Sequence, residues 1–351
     1  RLPSGGTNEQ QWVEGEPKLL RRDLTKAVHS PDWRAYMRLP EVRIGKKVAT
    51  IPIIQGGMAI RITTARLAAA AANEGGIGLI AASGMKPKEL RYEIRLARSL
   101  SPHGIIGINE MVAANDFADA VKIAIDEGID LVVAGAGFSR DMFQYGKESG
   151  TPIVPIVSSA KLAKISEKLG AAAVVVEGKE AGGHLGTDQS VRSIISDVRA
   201  AVKIPVFAAG GILTGQDIAD LHKMGADGVQ LGSRFAASIE SNAAPSLKEY
   251  YLKTKQEDVV IIHSPVGLPG RAVRTPFSAR IMEGPVPPKV CDHCLKQCDH
   301  HFCIIRALSR AQQGDVETGL VFTGEFMPRI DRIMSVHEIF EELKQQLAAA
   351  D

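Results

Sequence analysis

Eight short apolar runs recur every 20 to 30 residues or so, and segments with helical periodicity lie between them. The runs are rich in β-branched residues and cover 48–55, 77–82, 105–109, 131–134, 153–157, 173–177, 206–209 and 228–231. Strands that alternate with helices form parallel sheets, and eight such units are the number that closes a barrel. We therefore predict a (β/α)8 TIM barrel in the α/β class.

The segments between the runs favour the barrel over its main alternative. Amphipathic helices are predicted at 63–73, 160–169 and 216–224, and Pro87 begins another where its missing N–H costs little. A doubly wound open sheet would normally carry a Gly-x-Gly-x-x-Gly turn after the first strand. Residues 55–60, which read Gln-Gly-Gly-Met-Ala-Ile, do not provide it.

The chain of 351 residues is long enough for one barrel with additions at both ends. We predict a helical, charged lead-in at 1–47 that packs across the barrel bottom, and the barrel itself at 48–240. Residues 241–351 are predicted to form a cap over one barrel face, with a final amphipathic helix at 336–347.

Charge and hydropathy argue against several classes of partner. The 42 basic and 40 acidic residues give a net charge of +2, which offers no electrostatic reason to expect nucleic acid or a membrane surface. No run approaches the length of a membrane-spanning helix, and residues 1–6 lack the apolar run of a secretory signal. We expect a soluble, cytoplasmic protein.

Glycines and polar residues follow the predicted strands, where active sites of such barrels lie. They include Gly57 and Met58 after the first strand, Asn109 at the end of the third and Glu177 at the end of the sixth. Strands seven and eight run into Ala209-Gly210-Gly211 and Gly232-Ser233, which match a barrel phosphate site. Each pair alone could simply make a tight turn; two on consecutive strands favour phosphate binding.

His184 is the one histidine in a predicted βα loop of this barrel face. An imidazole there can take or give a proton near neutral pH. A structural histidine is the alternative. The neighbouring glycines leave it little to pack against, which favours a catalytic role.

All four cysteines, Cys291, Cys294, Cys298 and Cys303, lie in one short segment outside the barrel. A disulfide framework is not expected in a chain without a secretory signal, so we predict a metal site. The compact spacing favours one loop around a [4Fe–4S] cluster. Zinc stays open because His293, His300 and His301 are close by.

The barrel segments, in this order, resemble the nitronate monooxygenase (2-nitropropane dioxygenase) family, which includes the FMN-dependent enoyl-acyl carrier protein reductases of type II. The matching pieces are residues 51–58, 73–78, 107–109, 177–186, 208–212 and 225–235, so the resemblance spans roughly 40–240. Residues 294–298 (Cys-Leu-Lys-Gln-Cys) and Cys303-Ile304 resemble a C-terminal extension in a subset of that family.

The resemblance implies an FMN across the barrel mouth. The isoalloxazine and ribityl chain would be bordered by Gly57, Met58, Asn109, Glu177 and Lys179. The phosphate would be held by Ala209, Gly210, Gly211, Gly232 and Ser233, and His184 would face the substrate above the flavin. Family members often carry more glycine where this chain has Ala59-Ile60-Arg61; Arg61 either holds an anionic substrate group or is a surface arginine.

The leading hypothesis is hydride transfer through FMN to an enoyl thioester, with NAD(P)H or the cluster as electron source. Oxidation of nitronates with dioxygen is the alternative, and a non-enzymatic electron-transfer subunit is a third. A dehydrogenase of the inosine monophosphate type would need a cysteine nucleophile after strand six, where Gly183-His184 stands. Besides a small-molecule or acyl-thioester substrate, the partner candidates are a second copy of the chain and an electron-donor protein. The sequence leaves open whether the cluster is redox-active or structural.

Overall fold

The computed structural model describes residues 39–350, and eight of their strands close a parallel barrel. The strands of this part of the chain are β1 (Val42–Ile44), β2 (Lys47–Ala49), β3 (Ile53–Gln55), β4 (Ile77–Ala81), β5 (Ile105–Met111), β6 (Leu131–Gly135), β7 (Ile153–Val157), β8 (Val174–Glu177), β9 (Gly183–His184), β10 (Val206–Ala209), β11 (Gly228–Leu231), β12 (Val259–His263) and β13 (Pro269–Val273). The barrel runs β3 to β8, then β10 and β11, and Leu231 of β11 pairs with Gln55 of β3 to close it. The predicted TIM barrel is confirmed.

Helices separate the barrel strands, and several begin where the sequence indicates. They are α1 (Ala65–Asn73), α2 (Pro87–Leu100), α3 (Phe117–Asp126), α4 (Asp141–Ser149), α5 (Ala160–Leu169), α6 (Val191–Ala201), α7 (Gly215–Lys223), α8 (Ser233–Ala236), α9 (Pro245–Lys253), α10 (Pro276–Glu283), α11 (Ile304–Gln312) and α12 (Val336–Ala349). Pro87 opens α2, as predicted. Ser159 and Thr214 cap α5 and α7, because their side chains accept hydrogen bonds from backbone N–H groups of the first turn.

The predicted first strand, 48–55, is in fact two strands. Pro52 has no N–H to donate, and the chain turns there, with the Ile53 N–H bonded to the Ile51 carbonyl at 2.7 Å. Only β3 joins the barrel, whereas β2 pairs antiparallel with β1. The described end of the predicted helical lead-in, 39–47, is therefore part of a β-hairpin; the rest of that prediction lies outside the described residues.

The β1–β2 hairpin packs against the amino ends of the barrel strands. Val42, Ile44 and Ala49 are buried in one apolar cluster with interior barrel residues such as Leu79 and Phe207. This end is opposite the strand ends that carry the predicted site. The hairpin therefore fills the bottom of the barrel and leaves the upper mouth to the cap.

Between β11 and α12 the chain builds the cap from α9, β12, β13, α10 and α11. β12 and β13 form an antiparallel hairpin, and β13 also pairs with β9, so the segment after β8 belongs to the sheet of the cap. One apolar cluster joins Ile60 of the first βα loop to Ile262, Phe302 and Leu308. The cap is thus packed onto the mouth of the barrel.

The last helix, α12, packs beside α1 and α7 in the outer ring of the barrel. Its buried face, made of Val336, Ile339, Phe340, Leu343 and Leu347, joins the apolar cluster beneath the barrel helices. This helix was predicted to be part of the cap, but it supplies the eighth helix of the ring. The cap is therefore an insertion before α12; the division at residues 47 and 240 otherwise remains a prediction.

Among the described residues, no helix combines the length and the apolar character that crossing a bilayer demands.

Candidate active site

A cavity of about 260 Å³ lies between the carboxyl ends of the barrel strands and the cap. Its floor comes from residues that follow barrel strands, and we call these the floor: Gly56, Gly57, Met58, Asn109, Glu110, Glu177, Ala209, Gly210, Gly211, Gln230, Gly232 and Ser233. Its roof comes from apolar cap residues, and we call these the roof: Leu247, Tyr251, Ile304, Ile305, Leu308, Ala311, Leu320, Val321 and Phe322. The cavity thus has a largely backbone and polar side and an apolar side.

Ten of the eleven predicted flavin-site and catalytic residues line this cavity. They are Gly57, Met58, Asn109, Glu177, His184, Ala209, Gly210, Gly211, Gly232 and Ser233. The exception is Lys179, whose side chain is exposed and does not line it. A turn at Gly178 directs residue 179 outward; its N–H donates to the Gln189 carbonyl at 2.7 Å and its carbonyl accepts from Arg271 Nη2 at 2.6 Å.

Glycines keep the floor flat and close to the backbone. A Cβ on Gly57 would lie 2.2 Å from the Asn109 Cβ, so no larger residue fits beside that side chain. Gly210 has φ +105°, a conformation that favours glycine. A planar ring can therefore approach the main chain here, as the isoalloxazine of a flavin requires.

The predicted phosphate end combines two barrel loops with one cap segment. Gly211 (φ +70°) follows β10, and Gly232 and Ser233 join β11 to α8. The Ser233 hydroxyl accepts a hydrogen bond from the Gly324 N–H at 3.0 Å, and a Cβ on Gly324 would lie 2.6 Å from that oxygen. Gly324 belongs to the irregular end of the cap, and no sequence signal pointed to it.

Two buried polar atoms beside the cavity have no hydrogen-bond partner among the described residues. They are Gln230 Oε1 and Glu110 Oε2, and both residues line the floor. Buried polar atoms are rarely left unpaired, so they indicate a polar ligand. The polar edge of a flavin ring suits such atoms, and the floor residues therefore fit FMN. Neither residue belonged to the predicted set. Glu110 follows the predicted Asn109 in β5, and Gln230 of β11 pairs with the predicted Ala209 of β10.

Two carboxyl groups of the floor are protonated at neutral pH. Burial raises the pKa of Glu110 to about 8, although its Oε1 accepts from the Ser83 hydroxyl at 2.6 Å and the Met111 N–H at 2.8 Å. Burial also raises the pKa of Glu177 to about 8, and no described residue hydrogen-bonds to its carboxyl. Both groups can therefore donate a hydrogen bond into the site.

His184 is held by the cap more firmly than the sequence suggests. It lies in β9, paired with Gly270 of β13, and its ring meets Phe322 edge to face at 5.3 Å. Its Nε2 lies 2.8 Å from the Ser264 hydroxyl. Burial lowers its pKa to about 4, so the imidazole is neutral at neutral pH. The expectation that it has little to pack against is wrong because the cap supplies the contacts.

Arg61 does not line the cavity. Its guanidinium pairs with Glu89, with Nη2 2.7 Å from Oε2, and also donates to the Gly84 carbonyl at 3.0 Å. Of the two roles open for Arg61, these contacts favour the structural one.

The four cysteines lie in the loop between α10 and α11, and none forms a disulfide. Backbone N–H groups of His293 and His300 lie 3.4 Å from the sulfurs of Cys291 and Cys298, an arrangement that stabilises thiolates. No three of the four sulfurs lie within 4.8 Å of one another. Burial raises the pKa of Cys294 to about 11, so a bound cation would be needed to hold it as a thiolate at neutral pH.

The cysteine loop is tied to the barrel and continues into the roof. Asn115 donates its backbone N–H to the Cys294 carbonyl at 3.0 Å, and the Lys296 N–H donates to the Ala113 carbonyl at 2.9 Å. Cys303 stands directly before α11, whose Ile304, Ile305, Leu308 and Ala311 line the cavity. The loop and one wall of the cavity are therefore consecutive in the chain.

Known proteins are similar to this chain in sequence and fold. A family model described as nitronate monooxygenase matches residues 42–346. FabK from Thermotoga maritima superposes with a TM-score of 0.76 at 34% identity, covering 85% of this chain and 93% of that one. A nitroalkane oxidase from Streptomyces ansochromogenes has a TM-score of 0.73 at 26% identity, covering 86% and 96%.

A further relative is a Mycobacterium tuberculosis protein named (3aS,4S,5R,7aS)-5-hydroxy-7a-methyl-1-oxo-octahydro-1H-indene-4-carboxyl-CoA dehydrogenase. It is 32% identical over 236 residues, which are 66% of this chain and 66% of that protein. The chain thus spans about two thirds of that relative's length. The family match covers most of the barrel and the cap, and the chain belongs to the nitronate monooxygenase family of FMN-dependent oxidoreductases.

Proposed function

We propose that this protein uses FMN to transfer a hydride to the activated double bond of an enoyl thioester. The observation that carries the proposal is the apolar roof, which faces the floor and His184 across one cavity. Such a roof suits a hydrocarbon chain, because it offers the chain apolar contacts and few polar partners. A small nitronate needs no wall of this extent.

The chain's own groups would each have a role in this reaction. The floor would hold FMN, which supplies hydride transfer when it is bound. A hydride that adds to the β-carbon pushes electron density onto the thioester oxygen, and a proton then reaches the α-carbon. His184 would contact that oxygen, and NAD(P)H is the proposed source of the hydride. The cap would exclude water from the reacting atoms.

Two relatives support a thioester substrate. The mycobacterial protein is named as a dehydrogenase of a carboxyl-CoA compound, and FabK is an enoyl-acyl carrier protein reductase of type II. The nitroalkane oxidase supports the alternative, in which a nitronate is oxidised and dioxygen takes the electrons. The two functions differ in the electron donor, so the donor separates them.

We also propose that the four cysteines bind a [4Fe–4S] cluster, with zinc as the alternative. The compact spacing of the four cysteines in the chain supports the cluster, because a single loop can wrap a cubane, whereas zinc ribbons usually place two cysteine pairs further apart. Such a cluster would anchor α11 and could act as an alternative electron source to NAD(P)H.

The test is to purify the protein anaerobically and follow its visible spectrum while NADH, then NADPH, is added. We expect a flavin spectrum with an iron–sulfur shoulder, bleaching by one of the two nucleotides, and reoxidation by an enoyl thioester. A flavin that stays oxidised until a nitronate is added would support the alternative function. Zinc in place of iron and sulfide would contradict the cluster. A cytoplasmic location, a second copy of the chain and an electron-donor protein remain predictions.

A further inference from the structure

Ser264 stands at the end of β12, directly beside the candidate catalytic histidine. It is fully buried, and its backbone is fixed by two bonds of the turn: its N–H donates to the Leu268 carbonyl at 3.1 Å, and its carbonyl accepts from the Gly267 N–H at 2.9 Å. The turn therefore holds the hydroxyl in one place, 2.8 Å from His184 Nε2.

The hydroxyl proton of Ser264 has one acceptor within the described part of the chain. Its oxygen accepts a hydrogen bond from the Val266 N–H at 3.4 Å, so that contact uses a lone pair and not the proton. His184 Nε2 is the other group in reach. A buried O–H without an acceptor costs about 1–3 kcal/mol, so the proton is donated to Nε2.

A neutral imidazole carries its proton on the nitrogen that does not accept. Since Nε2 accepts from Ser264, the proton is on Nδ1. Among the described residues the ring of His184 has one hydrogen-bond partner, the Ser264 hydroxyl at Nε2, so Nδ1 is left for a ligand of the cavity that His184 lines. The group that the ring presents to a ligand is then an N–H donor.

We propose that Ser264 is a positioning residue that fixes His184 as the Nδ1–H tautomer, so that His184 donates a hydrogen bond to the substrate and does not act as its base. The assignment of the acceptor as a thioester carbonyl oxygen rests on the proposed function. Negative charge develops on that oxygen when the hydride adds to the β-carbon, and a fixed donor stabilises it without transferring its own proton.

Nitrogen-15 NMR of the FMN-loaded protein tests the tautomer directly. With ¹⁵N-labelled histidine, and with His184→Asn to assign the signals, we expect an unprotonated Nε2 and a protonated Nδ1 at pH 7. In Ser264→Ala we expect both tautomers to be populated. A protonated Nε2 in the wild-type protein would overturn the proposal. This readout needs no turnover, so it stands or falls independently of the thioester reaction.

The steady-state kinetics of two matched pairs of variants provide the second test. The amide nitrogen of an asparagine reaches about the place of Nδ1, and that of a glutamine reaches about the place of Nε2. We therefore expect His184→Asn to retain about tenfold more kcat than His184→Gln. Equal loss in both variants, or the reverse order, would mean that the donor is not at Nδ1.

The second pair compares two buried serines. Ser264→Ala should lower kcat about tenfold, with FMN content and KM little changed. Ser166→Ala removes an equally buried hydroxyl, which bonds to the Leu162 carbonyl within α5, and should leave kcat unchanged. A Ser264→Ala enzyme with wild-type kcat and an unchanged NMR tautomer would overturn the role of Ser264.

Discussion

The floor and the roof of the cavity are built in opposite ways. The floor is made of glycines, main chain and a few polar side chains, and each of its segments lies in a barrel strand or within a few residues of one. The roof is made of apolar side chains from α9, α11 and the segment after α11, held in place by contacts between residues far apart in the chain. Gly57 of the floor has no room for a Cβ, whereas a replaced roof side chain changes shape and volume but little else.

This difference assigns cofactor binding to the floor and substrate contact to the roof. A cofactor that every reaction needs is held by backbone, whose positions depend little on side-chain identity. The substrate meets side chains, which can change without disturbing the barrel. Changes in the floor should therefore act on FMN, and changes in the roof or its cysteine loop should act on the cap and the substrate.

The largest effect is expected for Gly57→Ala. The new Cβ would lie 2.2 Å from the Asn109 Cβ, so the loop or Asn109 must move out of the flavin plane. We expect FMN affinity to fall at least about a hundredfold, or by about 2.7 kcal/mol. Fluorescence titration of the FMN-free protein measures it.

Gly284→Ala is the control for this variant, because its Cβ would meet nothing within 4 Å and the residue lies in the cap. It should bind FMN as the wild type does. If Gly57→Ala did so as well, the floor would be more adaptable than its geometry indicates.

Removal of one cysteine should destabilise the cap and leave FMN binding by the floor unchanged. Cys298→Ser removes one of the four sulfurs that are proposed to bind the metal. This sulfur also packs against the apolar cluster that contains Phe302 and Leu308. We expect loss of the metal, a Tm lower by several degrees and faster proteolysis of the cap, with FMN retained. Asp292→Asn, in the same loop, breaks the ion pair with Arg306 of α11 and should keep its metal. Loss of FMN in Cys298→Ser would show that floor and roof are not independent.

Glu110→Gln tests the buried carboxyl of the floor by its pH dependence. The folded pKa of about 8 lies above the usual value, so the group favours folding below the usual pKa and loses that contribution as pH rises through 8. The free energy of unfolding of the variant should match that of the wild type near pH 5 and exceed it near pH 9 by roughly 2–4 kcal/mol. Thermal melts at both values measure it. Glu249→Gln, at an exposed site, should show no such difference.

Arg61→Gln should have the smallest effect. The pair with Glu89 is partly exposed, so its loss should cost about 0.5 kcal/mol and leave KM unchanged. Urea unfolding and steady-state kinetics measure the two quantities. A large rise in KM with unchanged stability would instead make Arg61 a substrate contact.

The floor could be predicted from the sequence because its signals are local. Strands β7, β10 and β11 begin and end where the apolar runs do, and glycines directly follow β10 and β11. The first strand was wrongly extended because β-branched residues continue through Pro52, where the chain turns. The family resemblance placed Lys179 beside the flavin, yet the turn that begins at Gly178 leaves its side chain exposed.

The contacts that the cap makes with the site could not be predicted in this way. Ser264, Phe322 and Gly324 stand in irregular segments without periodicity, and each acts through a distant partner. Gly324 and Ser233 are 91 positions apart in the chain, and no local pattern encodes such a contact. α12 shows the same limit: its amphipathic pattern was clear, but the pattern does not tell which surface it covers.

The position of α12 also bears on how the protein is made. This helix closes the ring against α1, the first helix of the barrel, yet it follows the entire cap in the sequence. During synthesis the first seven barrel helices and all eight barrel strands emerge before it, and the apolar surface it covers stays open until the cap has emerged too. The barrel therefore reaches its native packing only late in translation, after the whole cap has been synthesised.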